Sequence, residues 1–289
     1  MTPNDPRLTP ARPDLAARHL EGKVQAARFV DGVVREIVAP QAPMRREPRP
    51  DAMLGTEALK GERVTVYDAN EEGWSWGQLA DDGYVGWLPT DALRDAGAAQ
   101  THTVSALRTL VFPGPSIKEA PLETLSFGCR LRIARTQMNF AVTTDNGFVP
   151  LQHLGGAAYR ENDFVAVAER FVGTPYLWGG KTSFGIDCSA LVQLALTSTG
   201  AACPRDSDMQ EPTLGSPISA PAGDLSNLRR GDIIFWDGHV AIARDNETLI
   251  HANAHHMAVA IEPIAEAIAR IRAAGSEVTS IRRIAGIIQ

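Results

Sequence analysis

The sequence changes its periodicity near residue 155, and this change limits the folds open to the chain. Between about Val33 and Leu151 it consists of short β-type runs, such as GERVTVYD, WSWGQLA and CRLRIART, separated by turn sequences such as NEEG and DDG. Strands of about five residues joined by such turns favour small antiparallel barrels. After Gly155, apolar residues recur at helical spacing in FVAVAERFVG and again in CSALVQLALTSTG. The chain is therefore predicted to place an all-β region before an α+β region.

Four segments follow from this division. Residues 1–28 are interpreted as a mixed, partly helical arm whose amphipathic stretch is LAARHLEGKVQAARFV. Residues 29–97 and 98–156 are predicted to form two barrels of the same kind, because DDGYVGWLP near the end of one matches TDNGFVPL near the end of the other. Residues 157–289 are predicted to form the α+β domain, in which helices precede the consecutive strands DIIFW, HVAIARD and TLIHANA and a last helix and strand follow.

Composition excludes several classes of function. The net charge is −6, whereas a protein that binds nucleic acid as its main partner needs a basic surface. No apolar run approaches the roughly 20 residues of a membrane-spanning helix. The first residues, MTPNDPRLTPARPDL, hold prolines and acids rather than the pattern of a signal peptide, so a cytoplasmic location is expected. The oligomeric state is not indicated.

Three cysteines are present, at positions 129, 188 and 203. An odd number at wide spacing indicates neither a disulfide framework nor a zinc site. The ordinary role of each is that of a small buried apolar residue. His255 and His256, expected on a strand, would point to opposite faces and could not easily share one ion. No metal and no organic cofactor is predicted.

Cys188 has a local sequence that favours a nucleophile. In GIDCSALVQLAL it stands in the opening turn of a predicted helix, where unpaired backbone N–H groups and the helix dipole favour negative charge. The same N–H groups could stabilise a tetrahedral oxyanion. Asp187 occupies the cap position, and its role as a cap and a role in substrate contact both stay open.

Two histidines are candidates for the base that a thiol nucleophile needs. His239 starts the strand after the DG turn of GDIIFWDGHVAIARD, and His251 lies in the next strand, TLIHANA. Neighbouring antiparallel strands can bring one imidazole against the other, so the second can orient the first.

The stretches TPYLWGGKTSFGIDCSALVQLAL, RDSDMQ, GDIIFWDGHVAIARD and LIHANA together resemble the NlpC family of papain-like cysteine peptidases. This resemblance implies that Cys188 is the nucleophile, His239 the general base and His251 the orienting residue. It also implies that Tyr176 takes part in oxyanion stabilisation, with Trp178 and Ser189 in the same two motifs at the substrate site. Ala190 stands where the family usually has glycine.

The two β segments resemble bacterial SH3-like domains, through endings of the DGYVGW type. The fold class expected is thus an α+β papain-like cysteine peptidase domain preceded by two small all-β SH3-like barrels. Family members of this composition resemble dipeptidyl-peptidases that cut the γ-D-glutamyl–L-diamino acid bond of cell-wall peptides with a free N-terminal L-alanine, in murein recycling. The resemblance implies that Asp187, Ser207 and Tyr84 hold the substrate amine. For Trp74, Trp76 and Trp87, packing within the barrel is favoured over stacking against a ligand.

Two other functions are open to the same residues. A cysteine with two histidines could serve another amidase or an acyltransferase, although an acyltransferase would need an apolar groove where Asp187 and Ser207 are polar. A non-catalytic protein that binds wall peptides through the barrels would need none of the three reactive side chains. The sequence does not reveal the preferred diamino acid, how strictly the free L-alanine is required, or which acidic residue of the first barrel, if any, binds the amine.

Overall fold

The computed structural model describes residues 5–218 and 227–286. The chain divides into two compact units, residues 1–159 and residues 160–289. Strands dominate the first unit, and the second combines four helices with a sheet among its described residues. The predicted succession of an all-β region and an α+β region is confirmed.

The N-terminal arm is extended where the sequence favoured a helix. It contains the two-residue strand β1 (Ala16–Ala17) and one 3₁₀ turn at Arg18–Leu20, and β1 pairs in parallel with β2 (Phe29–Val30), which directly follows the arm. The prediction of a partly helical arm is wrong over this stretch. Ala16 and Ala17 are fully buried and their N–H groups bind carbonyls of Arg28 and Pro10, so tertiary burial outweighs helix propensity. Gly22, with φ of 78°, also breaks the amphipathic stretch.

The region after the arm forms one antiparallel sheet of seven strands. They are β3 (Val33–Ile37), β4 (Gln41–Arg45), β5 (Leu54–Leu59), β6 (Arg63–Ala69), β7 (Trp74–Leu79), β8 (Val85–Pro89) and β9 (Leu93–Asp95). In space their order is β5-β4-β8-β7-β6-β3-β9. Trp76 is buried, and the Arg12 guanidinium lies 4.5 Å from its ring centre and 4.9 Å from that of Trp87. These two rings therefore have the packing role that the sequence favoured.

The second β segment consists of shorter strands in three small sheets. The strands are β10 (His102–Val104), β11 (Arg108–Val111), β12 (Glu123–Ser126), β13 (Arg130–Leu131), β14 (Ile133–Gln137), β15 (Phe140–Thr143), β16 (Phe148–Pro150) and β17 (Leu154–Gly156). The sheets are β13-β10-β17, β11-β12 and β14-β15-β16. Phe112, Phe140 and Phe148 pack edge to face in one buried cluster. The segment is all-β, as predicted.

The second unit begins with helices and short strands. These are α1 (Phe164–Glu169), β18 (Lys181–Thr182), β19 (Gly185–Ile186), α2 (Cys188–Ser198), α3 (Ser207–Thr213) and β20 (Ser216–Pro217). Helix α1 starts where Asp163 accepts the N–H groups of Val165 and Ala166. The helices predicted in FVAVAERFVG and CSALVQLALTSTG are confirmed, the first in a shorter form.

The remaining elements complete a six-stranded antiparallel sheet. They are β21 (Asp232–Trp236), β22 (His239–Ala243), β23 (Thr248–Asn253), β24 (Ala258–Pro263), α4 (Ile264–Ala273) and β25 (Val278–Arg283). The order β20-β25-β21-β22-β23-β24 places the three predicted strands side by side, with α2 packed against β22 and β23. Gly238, with φ of 70°, closes the tight turn that aligns Trp236 with His239. This turn fixes where β22, and with it His239, begins.

The lengths of the helices can be compared with the thickness of a membrane. Within the described part of the chain, no helix is long and apolar enough to cross a bilayer.

Candidate active site

Cys188 is the first residue of α2, as predicted. Asp187 caps the helix in an extended conformation, and its Oδ1 accepts the N–H of Ala190 at 2.8 Å. Cys188 itself is only 7% exposed. The sulfur therefore lies at the helix end where backbone N–H groups are unpaired, but with little access to water.

Burial decides the protonation state of this thiol. It raises the pKa of Cys188 to about 12, and the negative charge of Asp187 adds to the effect. The backbone N–H groups of Val240 and Ser189 and the charge of Arg205 oppose it without cancelling it. The helix start alone therefore does not stabilise a thiolate here, because desolvation raises the pKa of the thiol by more than the backbone N–H groups lower it. In the resting state the sulfur keeps its proton, and a base has to remove it.

The strand that carries His239 lies against this sulfur. The backbone N–H of Val240, the residue after His239 in β22, forms a hydrogen bond with the Cys188 sulfur, and α2 packs against this strand. Nε2 of His239 lies 2.8 Å from Nδ1 of His251. Within the described residues, no hydrogen bond is formed by the other ring nitrogen of His239, Nδ1. The two histidines predicted to act together are thus in contact, while their roles in catalysis stay predictions.

The hydrogen-bonded series continues past the histidines to a residue that the sequence analysis did not single out. Nε2 of His251 lies 2.7 Å from Oε1 of Glu262, and Arg270 from α4 forms an ion pair with the same carboxylate. His251 is 1% exposed. The signal that could have identified Glu262 is the alternation in AVAIE after the NAHHM turn, which predicts one more strand beside TLIHAN.

Burial also sets the charge state of the imidazoles. It lowers the pKa of His239 to about 3, helped by nearby His251 and Arg270 and opposed by Glu262. It lowers the pKa of His251 as well, against the opposing hydrogen bond and charge of Glu262. Both rings are therefore neutral near pH 7, which is the state in which one of them can accept a proton.

Asp187 and Arg205 form a buried ion pair beside the thiol. The Arg205 side chain is fully buried, and its two terminal nitrogens lie 2.9 and 2.8 Å from the two carboxylate oxygens of Asp187. Ser189 donates to Asp187 and accepts from Arg205, and Gly179 N–H binds the carboxylate at 2.9 Å. Asp187 therefore has a capping role and a second structural role, and its predicted contact with substrate stays a prediction.

Three other predicted substrate contacts lie in the second unit. Tyr176 is half-buried, and burial raises the pKa of its hydroxyl, with smaller effects from Cys188 and Asp187, which places it near the thiol. A hydroxyl that keeps its proton can donate to an oxyanion. Trp178 is 61% exposed. Ser207 is half-buried and begins α3.

Tyr84 belongs to the first unit. It is 4% exposed and packs in the core of the seven-stranded sheet with Ile37, Met44 and Leu88. Its predicted contact with substrate stays a prediction.

The positions of His255 and His256 differ from those that the sequence predicted. They lie in the turn between β23 and β24, not on a strand, and their ring centres are 4.8 Å apart. Their expected placement on opposite faces is therefore wrong, because the chain reverses at Asn253, whose Oδ1 accepts the N–H of His256. A nearby group is formed by His251, His256 and Glu262, whose potential ligand atoms lie within 4.8 Å of one another. A metal bridging them would have to replace the hydrogen bond between His251 and Glu262.

Comparisons with known proteins agree with this organisation. Residues 44–93 match the family model described as the bacterial dipeptidyl-peptidase SH3 domain, and residues 173–276 match that of the NlpC/P60 family. The γ-D-glutamyl-L-lysine dipeptidyl-peptidase of Bacillus cereus is 28% identical over 245 residues, which cover 73% of this chain and 71% of that protein. Dipeptidyl-peptidase 6 of Lysinibacillus sphaericus is 28% identical over 242 residues, covering 75% and 86%.

One solved structure shares the fold over most of the chain. It is an NlpC/P60 family protein from Bacillus cereus, with a TM-score of 0.72 and 21% sequence identity, and the match covers 88% of this chain and 100% of that one. The predicted family resemblance and fold class are confirmed.

Proposed function

Since the chain is a cysteine peptidase of the NlpC/P60 family, we propose that it hydrolyses the γ-D-glutamyl–L-diamino acid bond of short cell-wall peptides with a free N-terminal L-alanine. The diamino acid is diaminopimelate or lysine. The observation that carries the proposal is the buried Cys188 at the start of a helix that packs against the two strands bearing the hydrogen-bonded pair of His239 and His251.

The proposed reaction has two halves. His239 takes the thiol proton while the sulfur of Cys188 attacks the γ-glutamyl carbonyl carbon. The tetrahedral oxyanion is stabilised by backbone N–H groups at the start of α2 and by the hydroxyl of Tyr176. The C–N bond then breaks, and His239 gives its proton to the leaving amine. In the second half His239 activates water, which hydrolyses the thioester and frees the thiol.

Recognition of the free amine is proposed for Asp187, Ser207 and Tyr84, because an ammonium group binds carboxylate and hydroxyl oxygens. Asp187 already carries Arg205, so its carboxylate can hold an ammonium only as an additional partner. Trp178 and Ser189 complete the proposed site.

The proposed place of the reaction is murein recycling in the cytoplasm. A free N-terminal L-alanine exists only after another amidase has detached the peptide from the glycan. The proposed substrate is therefore a small diffusible peptide rather than the intact wall, which lies outside the cell. The name of the Bacillus cereus relative, a γ-D-glutamyl-L-lysine dipeptidyl-peptidase, supports the substrate class, and that of the Lysinibacillus sphaericus relative supports a dipeptidyl-peptidase.

The test uses L-Ala-γ-D-Glu-meso-diaminopimelate, its lysine analogue and the N-acetylated form of each. We expect the wild type to release L-Ala-γ-D-Glu from the free-amine peptides only. Cys188→Ala should abolish release, and Cys203→Ala, a buried cysteine in the same unit, is the matched control that should retain it.

Each outcome bears on a separate part of the proposal. No release from any peptide would contradict the substrate class and favour another amidase or an acyltransferase. Equal cleavage of the acetylated peptide would contradict only the recognition of the amine. Tight binding without cleavage, unchanged in Cys188→Ala, would instead identify a wall-peptide-binding protein.

A further inference from the structure

Three side chains on adjacent strands form a diagonal series on one face of the sheet. His251 is paired with Ala260 in the register of β23 and β24, so Glu262, two residues further on, lies on the same face as its diagonal neighbour. Continuing the pairing of Ile242 with Ile250 sets Ala241 opposite His251, which makes His239 the diagonal neighbour on the other side. The series His239–His251–Glu262 is therefore a consequence of strand register.

The hydrogen bonds in this series determine which nitrogen of each ring carries a proton. An ionised carboxylate can only accept, so Nε2 of His251 must be the N–H that binds Glu262 at 2.7 Å. Nδ1 of the neutral His251 ring is then an acceptor, and Nε2 of His239 must be the donor at 2.8 Å. This leaves Nδ1 of His239 with a lone pair.

We propose that Glu262 is a positioning residue that fixes the tautomers of both histidines, so that Nδ1 of His239 is the atom that takes the proton of Cys188. This inference rests on the proposed roles of Cys188 and His239. In the step, the S–H bond breaks and an N–H bond forms at Nδ1, while the electron pair of the sulfur forms the bond to the carbonyl carbon. The imidazolium produced is stabilised through His251 by the negative charge of Glu262.

The groups around Glu262 keep its carboxylate ionised, as the proposal requires. Burial alone would raise its pKa, but the hydrogen bond and charge of His251 and the charge of Arg270 outweigh this, and the pKa of Glu262 is lowered. Its side chain is only 11% exposed, so water competes little for the carboxylate. The charged or titratable groups that act on the two rings are Glu262 on β24, Arg270 on α4 and His256 in the turn, together with the rings themselves. Cys188 and Asp187 stand at the start of α2, which packs against β22 and β23.

One experiment separates a tautomer role from simple packing. The alkylation rate of Cys188 by iodoacetamide is measured by mass spectrometry of the labelled peptide, at about pH 7 and about pH 10, with Cys188→Ala as the blank. At neutral pH the thiol reacts only by transfer of its proton to His239, whereas at high pH free thiolate forms without His239. The ratio of the two rates therefore measures the base and not the accessibility of the sulfur.

The variants are Glu262→Gln, Glu262→Ala and Glu262→Asp, with Glu277→Gln as control. Glu277 also pairs with an arginine of α4, Arg272, but is exposed. We expect Glu262→Gln and Glu262→Ala to lower the pH 7 to pH 10 ratio at least 10-fold. They should also lower kcat for peptide cleavage on the order of 10²-fold with little change in KM. Glu262→Asp should recover part of both losses, and Glu277→Gln should match the wild type.

Two results would overturn the proposal. One is a wild-type alkylation rate at both pH values in Glu262→Gln and in Glu262→Ala. The other is a loss of equal size at both pH values, which indicates a structural role. If the wild type alkylates normally but cleaves no muropeptide, the proposed substrate fails while the test of Glu262 stands.

A measurement on the wild type needs no variant to fold. Nitrogen-15 NMR of the histidine rings near neutral pH should show Nε2–H and unprotonated Nδ1 for both His239 and His251. A proton on Nδ1 of His251 would contradict the proposal directly.

Discussion

Burial acts in opposite directions on the two residues proposed to exchange a proton. It raises the pKa of Cys188 and lowers that of His239, so it favours the neutral thiol and the neutral imidazole together. Proton transfer within such a pair is unfavourable by itself, and the charge of Glu262 favours it by stabilising the imidazolium. At the scale of single residues, the reactivity of the site thus depends on the groups around the pair more than on the pair itself.

The depressed pKa of His239 predicts acid sensitivity of the folded state. Between its unfolded value near 6.5 and its folded value of about 3, the unfolded chain binds one more proton than the folded one, so stability rises with pH. This contribution is fully present above about pH 6.5 and is lost as the pH falls, by at most about 1.4 kcal/mol per pH unit. Urea denaturation at about pH 7 and pH 5 measures it.

His239→Gln provides the comparison for this measurement, because it removes the titrating group and leaves the carboxylates that also titrate in acid. The variant should lose less stability than the wild type over the same interval. Parallel losses in the two proteins would show that His239 does not titrate as its burial requires.

Among the elements of the second unit, those with strong local patterns were predictable. The helical spacing in CSALVQLALTSTG predicted α2, and the apolar runs DIIFW and HVAIARD predicted β21 and β22, the second of which carries His239. Strand β24 and helix α3 were not predicted, since the alternation in AVAIE is short and α3 contains Pro212, a residue that disfavours a helix interior. The contact of Glu262 with His251 depends on register, which local sequence does not specify until the strand is recognised.

The arginine beside the nucleophile was predictable only as a polar residue in a loop. Arg205 joins the segment before α3 to the start of α2 through its two bonds to Asp187, a pairing between residues 18 positions apart. Helix capping accounts for Asp187 from the sequence, whereas the partner that neutralises its buried charge comes from tertiary structure.

Replacement of Arg205 is expected to destabilise α2. Arg205→Met leaves the charge of Asp187 without its buried partner, and we expect the free energy of opening of α2 to fall by about 3 kcal/mol or more. Hydrogen exchange of the α2 amides measures this energy. Arg272→Met, which removes an exposed pair with Glu277, should change it by about 0.5 kcal/mol or less. Protection of α2 that is equal in the two variants would contradict the importance of the buried pair.

At the scale of the whole molecule, the residues proposed for chemistry all lie in one unit, whereas those proposed for recognition of the amine are divided between the two, with Asp187 and Ser207 in the second and Tyr84 in the first. Cys188, His239 and His251 all belong to residues 160–289, whereas Tyr84 belongs to residues 1–159. Each unit has its own buried core, which is the condition for folding alone. Reactivity of the thiol and selection of the substrate amine should therefore be separable.

The fragment of residues 160–289 tests this separation. We expect it to fold, to show native near-UV circular dichroism, and to keep alkylation of Cys188 within about 3-fold of the full chain, since the residues around the thiol are retained. Its preference for free-amine over N-acetylated peptide should fall by 10-fold or more, because one bond to a charged group contributes about 1.5–3 kcal/mol.

Tyr84→Phe in the full chain removes only the hydroxyl and should reproduce part of that loss. If the fragment prefers the free amine as strongly as the full chain, recognition lies entirely with residues of the second unit such as Asp187 and Ser207, and Tyr84 has only its observed role in the barrel core.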